Sequence, residues 1–416
     1  MNWFRRLIPA CFPIFFCLPS QVNAQAYTLD FYIQQGLSSS PLLKEYANQV
    51  LLNQLDSARI LAAYRPQITG NSYNAYAPVI HGWGYDEAIS NGGNFSTLVN
   101  GNKTMVGKNN LSAQFENLSL QSQAARNSSR ITEQDLKKNI ASQYIIAYGD
   151  MLQVNFNGEV YTLLQKEESI LKELTRRNVY RQADYLVFLV SLQQQKLQWR
   201  QWQIQYKNDF ASLNALCGIM DTTAVPLAEP DIRLASLPDI YQSVFYRQYE
   251  IDSLKLRNSH LLVDFSYKAK MNFFADAGFS SSLMNTPYKN FGTSFGFSVT
   301  MPIYDGHQRK LQHDKLVIQE RTRGGYQSFF LGQYRQQVAQ LMQQLRETES
   351  MIGEINEQIR YADGLISVNG KLLETGDVKM ADYLIALSNY LNAKNLLNQN
   401  KIMRLQIINQ VNYWNR

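Results

Sequence analysis

Leu174-Thr-Arg-Arg-Asn178-Val-Tyr-Arg-Gln182-Ala183-Asp-Tyr-Leu186 and Leu372-Leu-Glu-Thr-Gly376-Asp-Val-Lys-Met380-Ala381-Asp-Tyr-Leu384 carry one pattern twice, 198 positions apart. Ala-Asp-Tyr-Leu is common to both, and each copy follows a turn in otherwise helical, Gln-rich sequence. Asn178 and Gly376 share a register, and these two residue types enter the left-handed region most cheaply to end a helix. The chain therefore reads as two copies of one helix–turn–helix unit, each about 200 residues long.

Outward from the turns, helical sequence runs from about Ser119 to Arg177 and returns from Ala183 to Leu216. At 1.5 Å per residue the outgoing arm spans about 90 Å, far beyond a globular helix. The second copy repeats this with arms Gln308–Glu374 and Ala381–Trp414. In its outgoing arm Val338, Leu345, Ile352, Ile359, Ile366 and Leu373 recur every seven residues, with Leu341, Thr348, Ile355 and Ala362 at the intermediate position. Such heptads specify helices that wrap on neighbouring helices. Between the copies, 218–238 holds Pro226, Pro230 and Pro238 and reads as a linker.

The period changes to two before the second long arm. In 272–284 the odd positions Phe273, Ala275, Ala277, Phe279 and Leu283 are apolar, and in 291–303 Phe291, Phe295, Phe297, Val299, Met301 and Ile303 face Gly, Ser and Thr on the even positions. Asn285-Thr-Pro-Tyr-Lys-Asn290 has the composition of a hairpin turn. Strands with one face in lipid show this alternation, and so does an antiparallel sheet on a soluble core. In the first copy the helices 29–37 and 41–64 lead into a Gly-, Asn- and Tyr-rich stretch, within which 78–103 has loop chemistry.

Residues 1–26 read as a secretory signal: Arg5 and Arg6, an apolar run broken by Pro9 and Pro13, and Ala24-Gln25-Ala26 as cleavage site. Cys11 and Cys17 would leave with it, so Cys217 remains without a disulfide partner and is read as a small packed residue. The formal charge of +6 falls to +4, too little to call for a polyanion. Mean hydropathy is −0.31, and no later apolar run is long enough for a membrane helix, so any crossing must be made of strands.

Two strand hairpins, each paired with a long helical hairpin behind a signal, resemble the TolC-type outer-membrane efflux family. Phe297-Ser-Val-Thr-Met-Pro302-Ile-Tyr-Asp305-Gly306 is similar to its strand-to-helix junction, and Leu213-Asn-Ala-Leu-Cys-Gly218 to the end of its first return helix. The resemblance implies a mainly α fold with a β-barrel part: a homotrimer in which each chain gives four strands to a twelve-stranded barrel and its long helices to a periplasmic tunnel. It divides the chain into a first repeat, 27–217, and a second, 239–416. It places the first copy's strands at about 67–77 and 105–115, with the helical hairpin 119–216, and makes 78–103 and 285–290 external loops with Trp83, Tyr85 and Tyr288 in an interfacial belt. Location in the outer membrane of a Gram-negative cell follows.

The resemblance further implies passive export of substrates handed over by a periplasmic adaptor and an inner-membrane pump. The turns would meet the adaptor, through Arg177, Asn178, Val179, Gly376, Asp377 and Lys379. The gate would lie there too. Asp184 and Asp382 fall where the family carries inward-facing acidic residues, though a carboxylate in the first turn of a helix is equally favoured by the helix dipole. Ile385 stands where a second acidic ring could sit, and Val378 where a locking basic residue would be, so closure should rest on apolar contact, with Tyr185 and Tyr383 as contributors or as packing aromatics. A periplasmic coiled-coil adaptor is the alternative, but it would have one hairpin and no strand pairs. No enzymatic activity, cofactor or metal is expected: His307 and His313 are six apart, where helical ligand pairs want four, and His81 and His260 have no evident partners.

Overall fold

The computed structural model of the chain describes residues 27–85, 93–236, 239–281 and 289–414. The signal (1–26), the turn residues 285–288 with Tyr288, and Pro238 lie outside the described residues. In chain order the elements are α1 (Leu29–Ser39), α2 (Pro41–Ala63), β1 (Gln67–Tyr76), β2 (Gly93–Met105), α3 (Lys108–Arg176), α4 (Gln182–Leu216), a 3-10 turn (Ile240–Gln242), α5 (Val244–Ser266), β3 (Lys270–Ser281), β4 (Phe291–Thr300), α6 (Gln308–Thr375) and α7 (Met380–Tyr413).

The second strand corrects the sequence reading. It occupies Gly93–Met105 instead of 105–115, and α3 starts at Lys108 instead of 119. Gly107 supplies the helix N-cap, so Met105 ends the strand and the residues expected to continue it are helical. Asn100-Gly101 and the Asn-Gly-Gly run before it look like turns, yet β2 is paired along both sides, with β1 and with β3. Backbone pairing on two flanks outweighs poor strand propensity, which is weak and context-dependent. Trp83 and Tyr85, which follow β1, are exposed.

The four strands form one antiparallel sheet in the order β1-β2-β3-β4. Its register puts Met271, Phe273, Ala275 and Phe279 opposite Val299, Phe297, Phe295 and Phe291 on one face, and Asn272 and Asp276 opposite Ser298 and Ser294 on the other. Among the described residues nothing covers the apolar face: Phe291, Phe295 and Phe297 are 70%, 87% and 64% exposed. A sheet packed on a soluble core would bury that row, so this sheet's core is not within the protomer. Strands β1 and β4 each have one unpaired edge.

Each strand adjoins a helix: α2 leads into β1, β2 into α3, α5 into β3 and β4 into α6. These helices pack side by side, α2 on α3, α3 on α5 and α5 on α6, so the wall continues from strands into helices. Farther from the sheet, α4 and α7 replace α2 and α5. The end of α4 abuts the junction of α1 and α2, where Ser39 Oγ at the end of α1 donates to Cys217 O (2.8 Å), and the end of α7 abuts α5, where Phe245 packs on Tyr413 and Trp414. The 69 residues of α3 span about 100 Å. The core face of α6 is supplied as the heptads predict: Leu341, Thr348, Ile355 and Ala362 are buried, and the flanking Ile352 and Ile359 half-buried.

Of the stretch between the two helical hairpins, residues 218–236 run as a strap held to the helices. Tyr144 donates its hydroxyl to Tyr27 O (2.9 Å) and Ala228 O (2.7 Å), and Asn412 Nδ2 donates to Arg233 O (2.7 Å). Cys217 is buried and free, its thiol pushed up to about 11 by desolvation, as expected of a packed residue.

Candidate functional site at the helical tips

The sequence repeat survives down to single hydrogen bonds at the far ends of the helical hairpins. Asn178 (φ 61°) and Gly376 (φ 83°) both adopt the left-handed conformation. Val179 N–H donates to Leu174 O (3.0 Å) and Asp377 N–H to Leu372 O (2.9 Å), the same six-to-one closure one repeat apart. The chain then re-enters α4 and α7 with Asp184 and Asp382 at their third positions.

The two tips dock on each other. Val179 of the first lies directly over Gly376 of the second; a Cβ there would stand 2.3 Å from Val179 Cγ1. Tyr180 donates its buried hydroxyl to Val378 O (2.8 Å), a bond between two equivalent positions of the repeat. Beneath them Leu164, Leu171, Phe188, Leu373, Met380, Tyr383 and Leu387 form one apolar cluster. Replacing Tyr180 with Phe leaves the Val378 carbonyl unpaired in this cluster and should cost about 1–3 kcal/mol. Thermal unfolding and the rate of proteolysis at the tips measure the loss.

The expected gate residues divide into two groups. Tyr383 is buried at 1% exposure and corrects its assignment: it holds helices together inside the protomer and cannot line a pore. Val378 is likewise packed inward, and Tyr185 is half-buried with its hydroxyl on Glu168 Oε1. Asp184 accepts from the Arg181 backbone N–H (3.3 Å), the helix-start role. Asp382 and Ile385 are exposed, and the Asp382 carboxylate makes no hydrogen bond or ion pair to any described residue. The turn residues Arg177, Asn178, Val179, Asp377 and Lys379 are exposed as well, Arg177 paired locally with Glu173 (3.0 Å).

No family model matches the chain. No curated protein is similar to it in sequence. Solved structures are similar in shape. CusC superposes with a TM-score of 0.76 over all of this chain and 98% of its own, at 12% identity. The outer membrane protein VceC of Vibrio cholerae gives 0.74 over 93% and 96% at 13% identity, and the open outer membrane channel MtrE of Neisseria gonorrhoeae 0.73 over 93% and 88% at 12%. The fold is the TolC-type fold.

Within this TolC-type protomer, two polar features escaped the sequence reading. Glu167, near the tips on α3, has a buried carboxylate oxygen without a partner, and desolvation together with the charge of Glu374 raises its pKa. Midway along the hairpin Asp150 of α3 is buried with Oδ2 unpartnered, beside Asp209 of α4. Burial, then the neighbouring Asp209 carboxyl, push Asp150 up to about 8. It is therefore protonated at neutral pH, beside Asp209, whose oxygens accept from Gln143 (3.2 Å) and Gln205. An aspartate in a Gln-rich amphipathic helix carries no mark of this in the sequence; only the facing helix supplies its partner.

Proposed function

We propose that this chain is the outer-membrane channel of a tripartite efflux or type I secretion system, through which substrate passes by diffusion after a pump has supplied the energy. The observation that carries this reading is the uncovered sheet. It has one apolar row in the open, two unpaired edges, and a helical wall continuing from every strand. In lipid an open edge leaves backbone groups unsatisfied, so a sheet of this kind must close on other copies. Three copies give a twelve-stranded barrel with the Asn, Ser and Asp face inward and the aromatic row in lipid. A coiled-coil adaptor is disfavoured by the second helical hairpin and the sheet. The secretory signal, outer-membrane location, periplasmic adaptor at the tips and inner-membrane pump belong to the same proposal.

Purified protein in a planar bilayer should give discrete, ohmic conductance steps; a silent bilayer with folded protein would reject the channel. Asp382 is an exposed carboxylate at the narrow end with no side-chain partner among the described residues, and three copies form a ring that favours cations. Asp382→Ala is expected to lower the cation-over-anion preference about twofold or more, read as a smaller reversal potential in a salt gradient. Asp184→Ala, which removes a helix-start contact, should change it less.

A further inference from the structure

The two inner strands meet their helices side by side. β2 passes into α3 through Val106 and Gly107, α5 passes into β3 through 267–269, and the pairing of Met105 with Met271 sets the two crossings against each other. Between them lies a cleft of about 670 Å³. Lys108, Lys268 and Lys270 line it, and among the described residues no Asp or Glu does. None of the three lysines is ion-paired with a described residue, and the Lys268 ammonium lies 4.6 Å from the centre of the Phe265 ring, itself part of the wall. The start of α3 adds positive potential: Gly107 offers no side-chain cap, and the N–H groups of Lys108 and Asn109 have no acceptor among the described residues. The carboxylate one turn before Lys268 is committed elsewhere, since Asp264 accepts from Arg309 Nη2 (2.7 Å) and His313 Nε2 (3.0 Å). His313 in turn shares a hydrogen bond with His260, their Nδ1 atoms 2.6 Å apart, which corrects the sequence reading of His260 as partnerless.

Charges of one sign lining a concave site focus the field and concentrate the opposite charge there. Three lysines and a free helix start call for more than one negative charge, and a phosphate monoester carries about two at neutral pH with oxygens that accept from both. Leu262 and Phe265 form the rest of the wall and would cover an apolar body attached to that head. Strand parity fixes the side on which the cleft opens. Lys270 shares its face with Asn272 and Asp276, and Thr104, opposite Asn272, donates to its Oδ1 (3.3 Å), so this is the polar face of the sheet. Lys103 stands opposite Phe273 on the aromatic face and takes no part in the cleft. We propose that the cleft binds a phosphate monoester with an apolar body, and that amphiphilic anions of this kind are cargo of the conduit. The assignment as cargo rests on the channel reading, which turns the polar face inward; the binding itself does not.

Calorimetric titration of the full-length protein in neutral detergent with hexyl phosphate tests the site. Wild type should bind about one molecule per chain, more weakly as salt rises, and should bind hexanol and hexyltrimethylammonium far less well. The variant Lys108→Gln/Lys268→Gln/Lys270→Gln changes only exposed side chains and should bind about tenfold more weakly or worse, whereas Lys103→Gln should match wild type. Equal binding by wild type and the triple variant, an equal loss in Lys103→Gln, or hexanol binding as tightly as hexyl phosphate overturns the site. In a planar bilayer hexyl phosphate should reduce the conductance of wild type and leave that of the triple variant unchanged; conductance indifferent to it in both overturns the assignment as cargo. So does a phospholipid that native mass spectrometry finds on wild type, misses on the triple variant and sees unmoved by hexyl phosphate, because the occupant is then a membrane lipid. A silent bilayer together with intact binding rejects the channel reading and leaves the anion site standing.

Discussion

Replacing Gly376 with valine is expected to abolish export while leaving assembled protein in the membrane. Two costs act together. A β-branched residue at φ 83° pays about 1–2 kcal/mol or more in backbone strain. Its Cβ would also stand 2.3 Å from Val179 Cγ1, forcing the two tips apart. Overpacking of this kind adds about 1–3 kcal/mol. The sheet lies the length of α6 away, about 100 Å, so barrel closure should not feel the change. Export by the reconstituted system, measured beside the amount of trimer in the outer membrane, gives the answer. Asn178→Gly is the control, because glycine suits the left-handed turn at least as well as asparagine and export should persist. Normal export in Gly376→Val would mean that the docked tips have no part in the entrance.

Asp150→Asn is expected to make the protein more stable at pH 9, by a margin that shrinks steadily toward pH 5 and vanishes near pH 4. Asp150 has a folded-state pKa of about 8 against an ordinary 3.8. Over the window from about pH 4 to 8 the folded chain holds a proton that the unfolded chain has released. Stability from this group is therefore greatest below about pH 4, falls as pH rises from there to 8, and levels off above 8. Above that, Asp150 carries a charge in a buried position next to the Asp209 carboxyl, across α3 and α4. Asparagine keeps a donor for Asp209 and has nothing to ionise. The gain at pH 9 should be ~3 kcal/mol per protomer, allowing for relaxation of the pair. Thermal midpoints of both proteins across pH 5–9 test it: parallel curves would show that Asp150 is not the group that titrates.

The long helices and their turns were legible because each depends on its own sequence. Asn178 and Gly376 are the only φ-permissive residues where the helices must stop, and the heptad stripe Leu341-Thr348-Ile355-Ala362 is the buried one. The hairpin β3–β4 was legible for the same reason, its aromatic row being written in strict alternation. Strand β2 was not, because Asn, Ser and Gly form a strand there only with neighbours on both sides. The gate was half legible. Met380, Tyr383 and Leu387 follow helical spacing and mark the packed face, which places Tyr383 inside and leaves Asp382 and Ile385 off that stripe. Contacts between distant positions, Tyr180 with Val378, Asp150 with Asp209 and His260 with His313, come from the lateral order of the helices, which single-helix periodicity does not encode.

Closure of the sheet between copies is the claim on which the channel rests, and disulfide capture tests it most directly. In one chain β1 and β4 are separated by two strands, about 14 Å, too far for a disulfide. Cysteine pairs scanned along β1 and β4, with Cys217 buried out of reach, can therefore join only different chains. The expected result in membranes is a ladder of one, two and three chains that stops at three. Chains that remain monomeric at every register, or a ladder that runs on past three, would contradict the account.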